Sequence, residues 1–196
     1  MTGFGSKAFT DPDSYRASLS EAGIRLDLAG CADFAARVSW LDMPCLSLLL
    51  IEEKAPREAV VSLPTSPLFV SFSLGDRPSL AWNGVRLRRG DLVLHASADR
   101  FRQSTTGAAR WGLISIAAKD LAHYGRTLLG AELSPGATRL LRPPARGAAD
   151  LLRLHAQAGR LARTRPDLLG RREVARALEQ ELVRALVTAL GPAGTG

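Results

Sequence analysis

Histidine and cysteine are scarce in this chain, which has three histidines and two cysteines in 196 residues. A protein-bound zinc or iron ion needs three or four nitrogen, sulfur or carboxylate ligands that converge on one point. Only His95 falls on a predicted strand, whereas His123 and His155 fall on predicted helices. The sequence therefore predicts no metal ion and no cofactor. It also favours reduced thiols at Cys31 and Cys45, whose spacing fits no metal site.

Motifs for covalent or acid–base catalysis are missing as well. The chain has no Gly-x-Ser-x-Gly element, no glycine-rich loop between a strand and a helix, and no cysteine that shares a motif with a histidine. Glu52 and Glu53 are adjacent carboxylates, but neighbouring side chains of a strand point to opposite faces and cannot share a proton. We therefore expect a protein without catalytic residues.

Long apolar runs are absent, the longest extending from Cys45 to Ile51. A membrane-spanning helix needs about 20 apolar residues, and the N-terminal residues lack the apolar core of a signal peptide. The sequence thus predicts a cytoplasmic protein without membrane contact. The 45–51 run is typical of a strand that is buried on both faces.

Lysine is rare, with 3 lysines against 23 arginines, and the net charge of +7 is unevenly placed. Residues 126–172 carry ten arginines and three acidic residues, so this segment alone accounts for the whole excess. Such a segment can contact nucleic acid or an acidic partner, or it can consist of hydrated helix faces. We favour hydrated helix faces, because neither a recognition-helix pattern nor interleaved aromatic residues accompany the charge.

A series of short strands with tight turns occupies residues 82–117. Val85 and Leu87, and then Leu92 and Leu94, alternate with polar neighbours, which is the period of a half-buried strand. Asn83-Gly84 predicts a two-residue hairpin, because both positions of such a turn need a positive φ. With the strands expected upstream, the chain contains about nine or ten, enough for an antiparallel barrel or a double-sheet jelly roll.

Several short motifs follow one another in a characteristic order. They are Phe9-Thr10-Asp11-Pro12-Asp13, Phe34-Ala35-Ala36-Arg37, Trp82-Asn83-Gly84, the Gly90-Asp91 turn, Gln103, Trp111-Gly112 and Leu178-Glu179-Gln180-Glu181-Leu182. In this order they resemble the N-terminal regulatory domain of AraC/XylS-type transcriptional regulators, over nearly the whole chain. The resemblance implies a cupin-like, effector-sensing domain that dimerises through its last helix.

The DNA-binding half of that family consists of two helix-turn-helix units, and nothing after Leu190 could form one. We therefore expect no specific DNA binding by this chain itself, and DNA contact only through a C-terminal domain that is not present here. A regulatory domain cut from a longer regulator is the favoured interpretation, and a free-standing relative is the alternative.

The hydrophobic period changes from two to about 3.6 residues after Ala118, which predicts helices. We expect an α+β fold, with a cupin-like antiparallel β-barrel or jelly roll followed by a helical appendage that ends in an antiparallel helix hairpin. The predicted units are an N-terminal arm (1–19), the β-barrel (20–118), a helical dimerisation region (119–190) and a disordered tail (191–196). The final helix has a wide apolar surface, which is internal core or packs on a second subunit. For a homodimer, the predicted interface residues are Leu178, Leu182, Val183, Leu186 and Leu190.

Small β-barrels often hold one ligand in their interior. The aromatic and polar residues expected to line such a pocket are Trp40, Phe72, His95, Phe101, Gln103 and Trp111. The predicted function is to sense a small effector or a partner, and to relay this state through the C-terminal helices to a DNA-binding half. A metal-dependent cupin enzyme and a protein-interaction module with a packed interior are the alternatives.

Overall fold

The computed structural model describes residues 3–29, 33–75, 79–133 and 136–191, which contain twelve strands and five helices. The strands are β1 Phe4–Phe9, β2 Arg25–Ala29, β3 Ala36–Asp42, β4 Leu46–Glu53, β5 Arg57–Ser62, β6 Leu68–Ser73, β7 Leu80–Trp82, β8 Val85–Arg86, β9 Leu92–His95, β10 Arg100–Thr105, β11 Ala109–Ile116 and β12 Arg139–Leu141. The helices are α1 Pro12–Ser20, α2 Ala118–Leu129, α3 Ala145–Thr164, α4 Pro166–Leu169 and α5 Arg172–Leu190.

The strands form two antiparallel sheets that pack face to face. The larger sheet has the order β1-β3-β4-β11-β6-β9-β12, and the smaller one has the order β2-β5-β10-β7-β8. Side chains from both sheets, such as Ile51, Trp111, Val61 and Phe101, share one apolar core between them. The α+β prediction is confirmed, and the β part is a double-sheet arrangement rather than a closed barrel.

Helices cover the outer face of the larger sheet, which explains why its central strands are buried on both sides. In β6, Leu68, Val70 and Phe72 point towards the helices, whereas Phe69 points into the core between the sheets. Gly159 allows α3 to lie close to the sheet, because a Cβ atom at this position would be 2.6 Å from Leu50 Cδ2.

The helix hairpin and the main turns agree with the sequence. Gly147, near the start of α3, lies against Ala189, near the end of α5, so the two helices run antiparallel. Asn83 and Gly84 have φ angles of 47° and 79°, as the hairpin prediction requires. Gly130 ends α2 in the left-handed conformation.

The N-terminal arm is more ordered than its sequence indicated. β1 pairs with β3 at the edge of the larger sheet, and Asp11 caps α1 by accepting a hydrogen bond from the Ser14 amide. Phe9 and Tyr15 are buried in the core, so that residues 4–20 are integral to the sandwich. This edge strand has only a weak alternation, and its partner lies about 30 residues away in the chain, beyond the reach of local patterns.

Between α2 and α3, where Pro143 and Pro144 are typical of a loop, the chain also contributes a strand to the sheet, since β12 pairs with β9. Among the described residues, no helix is long and apolar enough to cross a membrane. Cys45 is a free thiol. Cys31 and residues 192–196 of the predicted tail lie outside the described residues.

Candidate functional site

A buried ion pair lies between the sheets, near one end of the sandwich. Glu53 ends β4 and Arg57 begins β5, so the short connection brings them together, with Arg57 Nε 2.7 Å from Glu53 Oε1. Tyr15 donates its hydroxyl to the same oxygen at 2.8 Å. Both charged residues are at most 4% exposed. The two opposite charges cancel, so the core holds a hydrogen-bonded ion pair without net charge.

Two predicted pocket residues belong to this unit. The Trp111 Nε1 group donates to Glu53 Oε2 at 3.2 Å, and Gln103 Oε1 accepts from an Arg57 Nη2 group at 2.5 Å. Trp111 and Gln103 are 2% and 3% exposed, and the Arg57 guanidinium lies 5.8 Å from the centre of the Trp111 ring. Their polar groups are therefore satisfied by neighbouring side chains.

His95 and Phe101, two further predicted pocket residues, are stacked in the core with ring centres 4.5 Å apart. His95 Nδ1 is 2.7 Å from Asp99 Oδ2, and its Nε2 atom is 2.8 Å from Ser71 Oγ. Because a carboxylate only accepts hydrogen bonds, Nδ1 carries the proton and, in the neutral ring, Nε2 accepts from the Ser71 hydroxyl. The hydrogen bond from His95 is the main cause that holds the pKa of Asp99 below its usual value.

This Ser71–His95–Asp99 chain has the order of groups found in serine hydrolases. Ser71 is 2% exposed and His95 is wholly buried, so the two side chains have little or no contact with solvent. Both imidazole nitrogens are occupied, which leaves no lone pair for a metal ion. Among the described residues, no group of three or more potential metal ligands comes together.

Trp40 and Phe72 lie apart from these clusters. Trp40 lines a cavity of about 210 Å³ together with Ile24, Phe69 and Leu113, and its Nε1 atom is buried without an acceptor in the described part of the chain. Phe72 lies on the opposite face of the larger sheet, where it contacts His155 of α3. The structure thus separates the six predicted pocket residues into four places. Their role in ligand binding stays a prediction. Phe72 lies in the core between the larger sheet and the helices, and not between the two sheets.

A larger cavity, of about 650 Å³, opens at the end of the sandwich that holds the Glu53–Arg57 pair. Its lining includes Phe9, Ala36 and Ala109 as well as the charged residues Arg37, Glu52, Glu53, Lys54 and Arg110. Sequence reasoning missed this cavity. Charged and apolar residues alternate at the ends of β3, β4 and β11, and this alternation could have indicated the cavity. The sequence does not show that these three ends lie side by side, because their alignment depends on strand order.

The predicted dimer-interface residues are mostly inside the chain itself. Leu182 and Leu186 are wholly buried, and Val183 and Leu190 are 3% and 7% exposed, because α5 packs on α3 and α2. Leu178 is partly buried at the edge of the same core. These side chains therefore offer little surface to a second copy, and homodimerisation itself stays a prediction.

Comparison with solved structures identifies the fold. The AraC-like transcriptional activator CuxR is similar over 99% of this chain and 73% of its own chain, with a TM-score of 0.61 and 17% sequence identity.

The resemblance to AraC-type regulators is thus confirmed at the level of the fold.

Weaker likenesses to other proteins accompany this one. Vicilin from Corylus avellana (hazelnut) has a TM-score of 0.29 at 13% identity, covering 88% of this chain and 49% of its own. Salicylate 1,2-dioxygenase from Pseudoaminobacter salicylatoxidans has a TM-score of 0.21 at 13% identity, covering 71% of this chain and 43% of its own. No family model and no curated protein sequence matches the chain.

Proposed function

We propose that this chain is the effector-sensing and dimerisation domain of an AraC-type transcriptional regulator. The observation that carries the proposal is the fold shared with an AraC-like activator along almost the entire chain. The domain acts as a regulator in the cytoplasm and catalyses no reaction. Specific DNA binding belongs to a separate helix-turn-helix half of the regulator.

The contacts between the sheet and the helices support a relay by population shift. His155 of α3 lies over Phe72, with ring centres 4.9 Å apart, and Gly159 contacts Leu50 of β4. The Cys45 amide, at the turn between β3 and β4, donates to Glu179 of α5 at 2.6 Å. A ligand that shifts β3 and β4 therefore acts directly on both helices of the hairpin.

The proposed dimer surface is the groove between α2 and α5, because it adjoins the final helix and no other described residue covers it. The groove has a volume of about 450 Å³, and Leu128 on its rim is 44% exposed. Leu128→Asp should shift the protein towards monomers in sedimentation equilibrium, since a charge would be buried in the interface. Val85→Asp, at a residue 41% exposed on β8, is the matched control and should leave association unchanged. Equal association of both variants would place the interface elsewhere.

A chimera tests the regulatory role. Residues 1–191 would be joined by a flexible linker to the DNA-binding half of an AraC-type regulator, and binding to paired half-sites would be compared with that of the isolated half. A dimerising domain raises the affinity through effective concentration, by about a hundredfold. Affinity no higher than that of the isolated half, together with a monomeric chain at tens of micromolar, would contradict the proposal.

A partner-binding module is the second candidate, and the packed interior between the sheets favours it. His95, Phe101, Gln103 and Trp111 fill this interior. The hydrogen bonds of His95, Gln103 and Trp111 go to other side chains of the chain, namely Ser71, Asp99, Arg57 and Glu53. Thermal denaturation in the presence of small metabolites separates the two functions. A ligand that raises the melting temperature supports effector sensing, whereas regulation in the chimera without any such ligand supports a protein partner.

Metal analysis tests the non-catalytic assignment. Purified protein should contain no stoichiometric iron, zinc or manganese, and His95→Gln should not change its metal content. One equivalent of metal that disappears in this variant would favour a cupin enzyme instead.

A further inference from the structure

Three neighbouring strands align charged residues in one row across the larger sheet. Arg37 of β3 is the direct partner of Glu52 of β4, and Arg110 of β11 is the partner of Glu52 on the other side. These side chains point to the outer face, opposite to Glu53, because successive residues of a strand alternate between faces. Glu52 therefore lies between two arginines at the end of the sheet.

Glu52 is shared by two guanidinium groups. Arg110 Nε lies 3.1 Å from Glu52 Oε1, and Arg163 Nη1, from the last turn of α3, lies 3.5 Å from Oε2. Arg37 has no ion-pair or hydrogen-bond partner for its guanidinium within the described ranges. One carboxylate thus faces three arginines, and several of their N–H donors remain available.

The balance of charge at this place is strongly positive. Lys54, which is exposed just after β4, adds a fourth cation. Among the described residues that line the adjoining cavity, the only carboxylate besides Glu52 is that of Glu53, which Arg57 already neutralises. Within the described part of the chain, two cationic side chains pair with this one available carboxylate and two more, Arg37 and Lys54, lie beside it in the sheet and the cavity lining. Such an arrangement attracts anions, and planar guanidinium groups match carboxylate and phosphate oxygens in particular.

This cluster borders the cavity of about 650 Å³, whose lining includes Arg37, Glu52, Lys54 and Arg110. Its volume lies in the range of cavities that hold small molecules. Phe9, Ala8, Ala36, Ala108 and Ala109 supply an apolar wall beside the charged rim. The cavity thus combines an anion-attracting rim with room for an uncharged ligand body.

We propose that Arg37, Arg110 and Arg163, with the adjoining cavity, bind a small organic anion whose carboxylate or phosphate group takes the place of Glu52. Glu52 is the internal competitor that pairs with the Arg110 and Arg163 guanidinium groups when the ligand is absent. This proposal deepens the proposed function and rests on it, because the anion would be the effector. Binding here would act on β3, β4 and α3 at once, which are the elements that connect the sheet to the helix hairpin.

Titration with inorganic phosphate, followed by NMR of the arginine Nε–Hε groups, tests the site. We expect the signals of Arg37, Arg110 and Arg163 to shift together with a millimolar dissociation constant, and acetate in a parallel titration distinguishes a carboxylate from a phosphate site. Arg37→Gln should weaken binding by roughly three- to fivefold, and Glu52→Gln should strengthen it by a similar factor, as for a partly exposed ion pair. Arg153→Gln is the matched control, since Arg153 lies on the same helix, is 55% exposed and pairs with Asp150 instead.

The opposite effects of Arg37→Gln and Glu52→Gln distinguish a site from general loss of structure, and circular dichroism checks that both variants are folded. Shifts no larger than those of Arg153 with both anions, or an unchanged affinity in Glu52→Gln, would overturn the proposal. Shifts produced by duplex DNA but by neither small anion would also overturn it, in favour of a nucleic-acid contact. The titration does not depend on regulation, so anion binding combined with an inactive chimera would reject the regulatory function alone.

Discussion

His155 should make this fold sensitive to mild acid. The ring is wholly buried between α3 and the larger sheet, where it lies over Phe72 with an angle of 84° between the ring planes. A Cβ atom at Gly112 would be 2.8 Å from its Cε1 atom, so the imidazole occupies the space that this glycine leaves. Neither ring nitrogen has a hydrogen-bond partner among the described residues.

Desolvation lowers the pKa of His155 from 6.5 to about 4, and the nearby backbone of Leu113 and Leu49 offsets only part of this effect. Because the pKa is lower in the folded state, the unfolded chain binds more protons between these two values. Stability from this residue is complete above about pH 6.5 and is lost as the pH falls towards 4. The full difference is about 3 kcal/mol, of which about 2 kcal/mol is lost between pH 7 and pH 4.5.

Urea denaturation followed by tryptophan fluorescence measures this loss. Carboxylates such as Asp99, whose pKa is lowered in the fold, also lose their contribution in acid, so the comparison is between variants. His155→Leu should reduce the loss between pH 7 and pH 4.5 by about 2 kcal/mol relative to wild type. His123→Leu, at an exposed histidine, is the matched control and should behave as wild type. The reasoning is refuted if His155→Leu and wild type have the same pH dependence.

Three further predictions concern the core, the helix contact and the charged surface. Arg57→Met should lower the free energy of unfolding by about 3 kcal/mol in urea denaturation, because it leaves the Glu53 carboxylate buried without its cation; a loss below 1 kcal/mol would show that Tyr15 and Trp111 suffice. Gly159→Ala should cost about 1–3 kcal/mol in the same assay, since its Cβ would overlap Leu50 at 2.6 Å; unchanged stability would mean that α3 moves freely. In gel-shift titrations the chain should bind DNA only weakly and lose binding as salt increases, whereas nanomolar, sequence-specific binding at physiological salt would contradict the separate location of the DNA-binding half.

The sequence alone predicts the local elements well. The strands β2 to β11 lie before Ala118, and the helices α2, α3 and α5 follow from there, as the change of hydrophobic period predicts. The Asn83-Gly84 hairpin and the helix end at Gly130 follow from the conformational freedom of those residues. These features depend on neighbours in the chain, which is why composition and spacing suffice.

Edge strands were harder to predict. β1 and β12 are short, weakly patterned segments that become strands only because β3 and β9 offer unpaired edges. The same limitation applies to α5, whose wide apolar surface is equally consistent with internal core and with a dimer interface. Only the packing of α3 and α2 against α5 shows that Leu182 and Leu186 are buried within the chain.

The sequence by itself determined the alternation of strands, the position of the helices and the scarcity of metal ligands, because each of these is a local property of the chain. Only the tertiary structure decided which side chains meet. It brought Glu53 to Arg57, Gln103 and Trp111 in the core, and it placed Glu52 between Arg37 and Arg110 on the outer face. Strand order and register set these contacts. A shift of one strand by one residue would move its side chains to the opposite face of the sheet and separate the residues of both clusters.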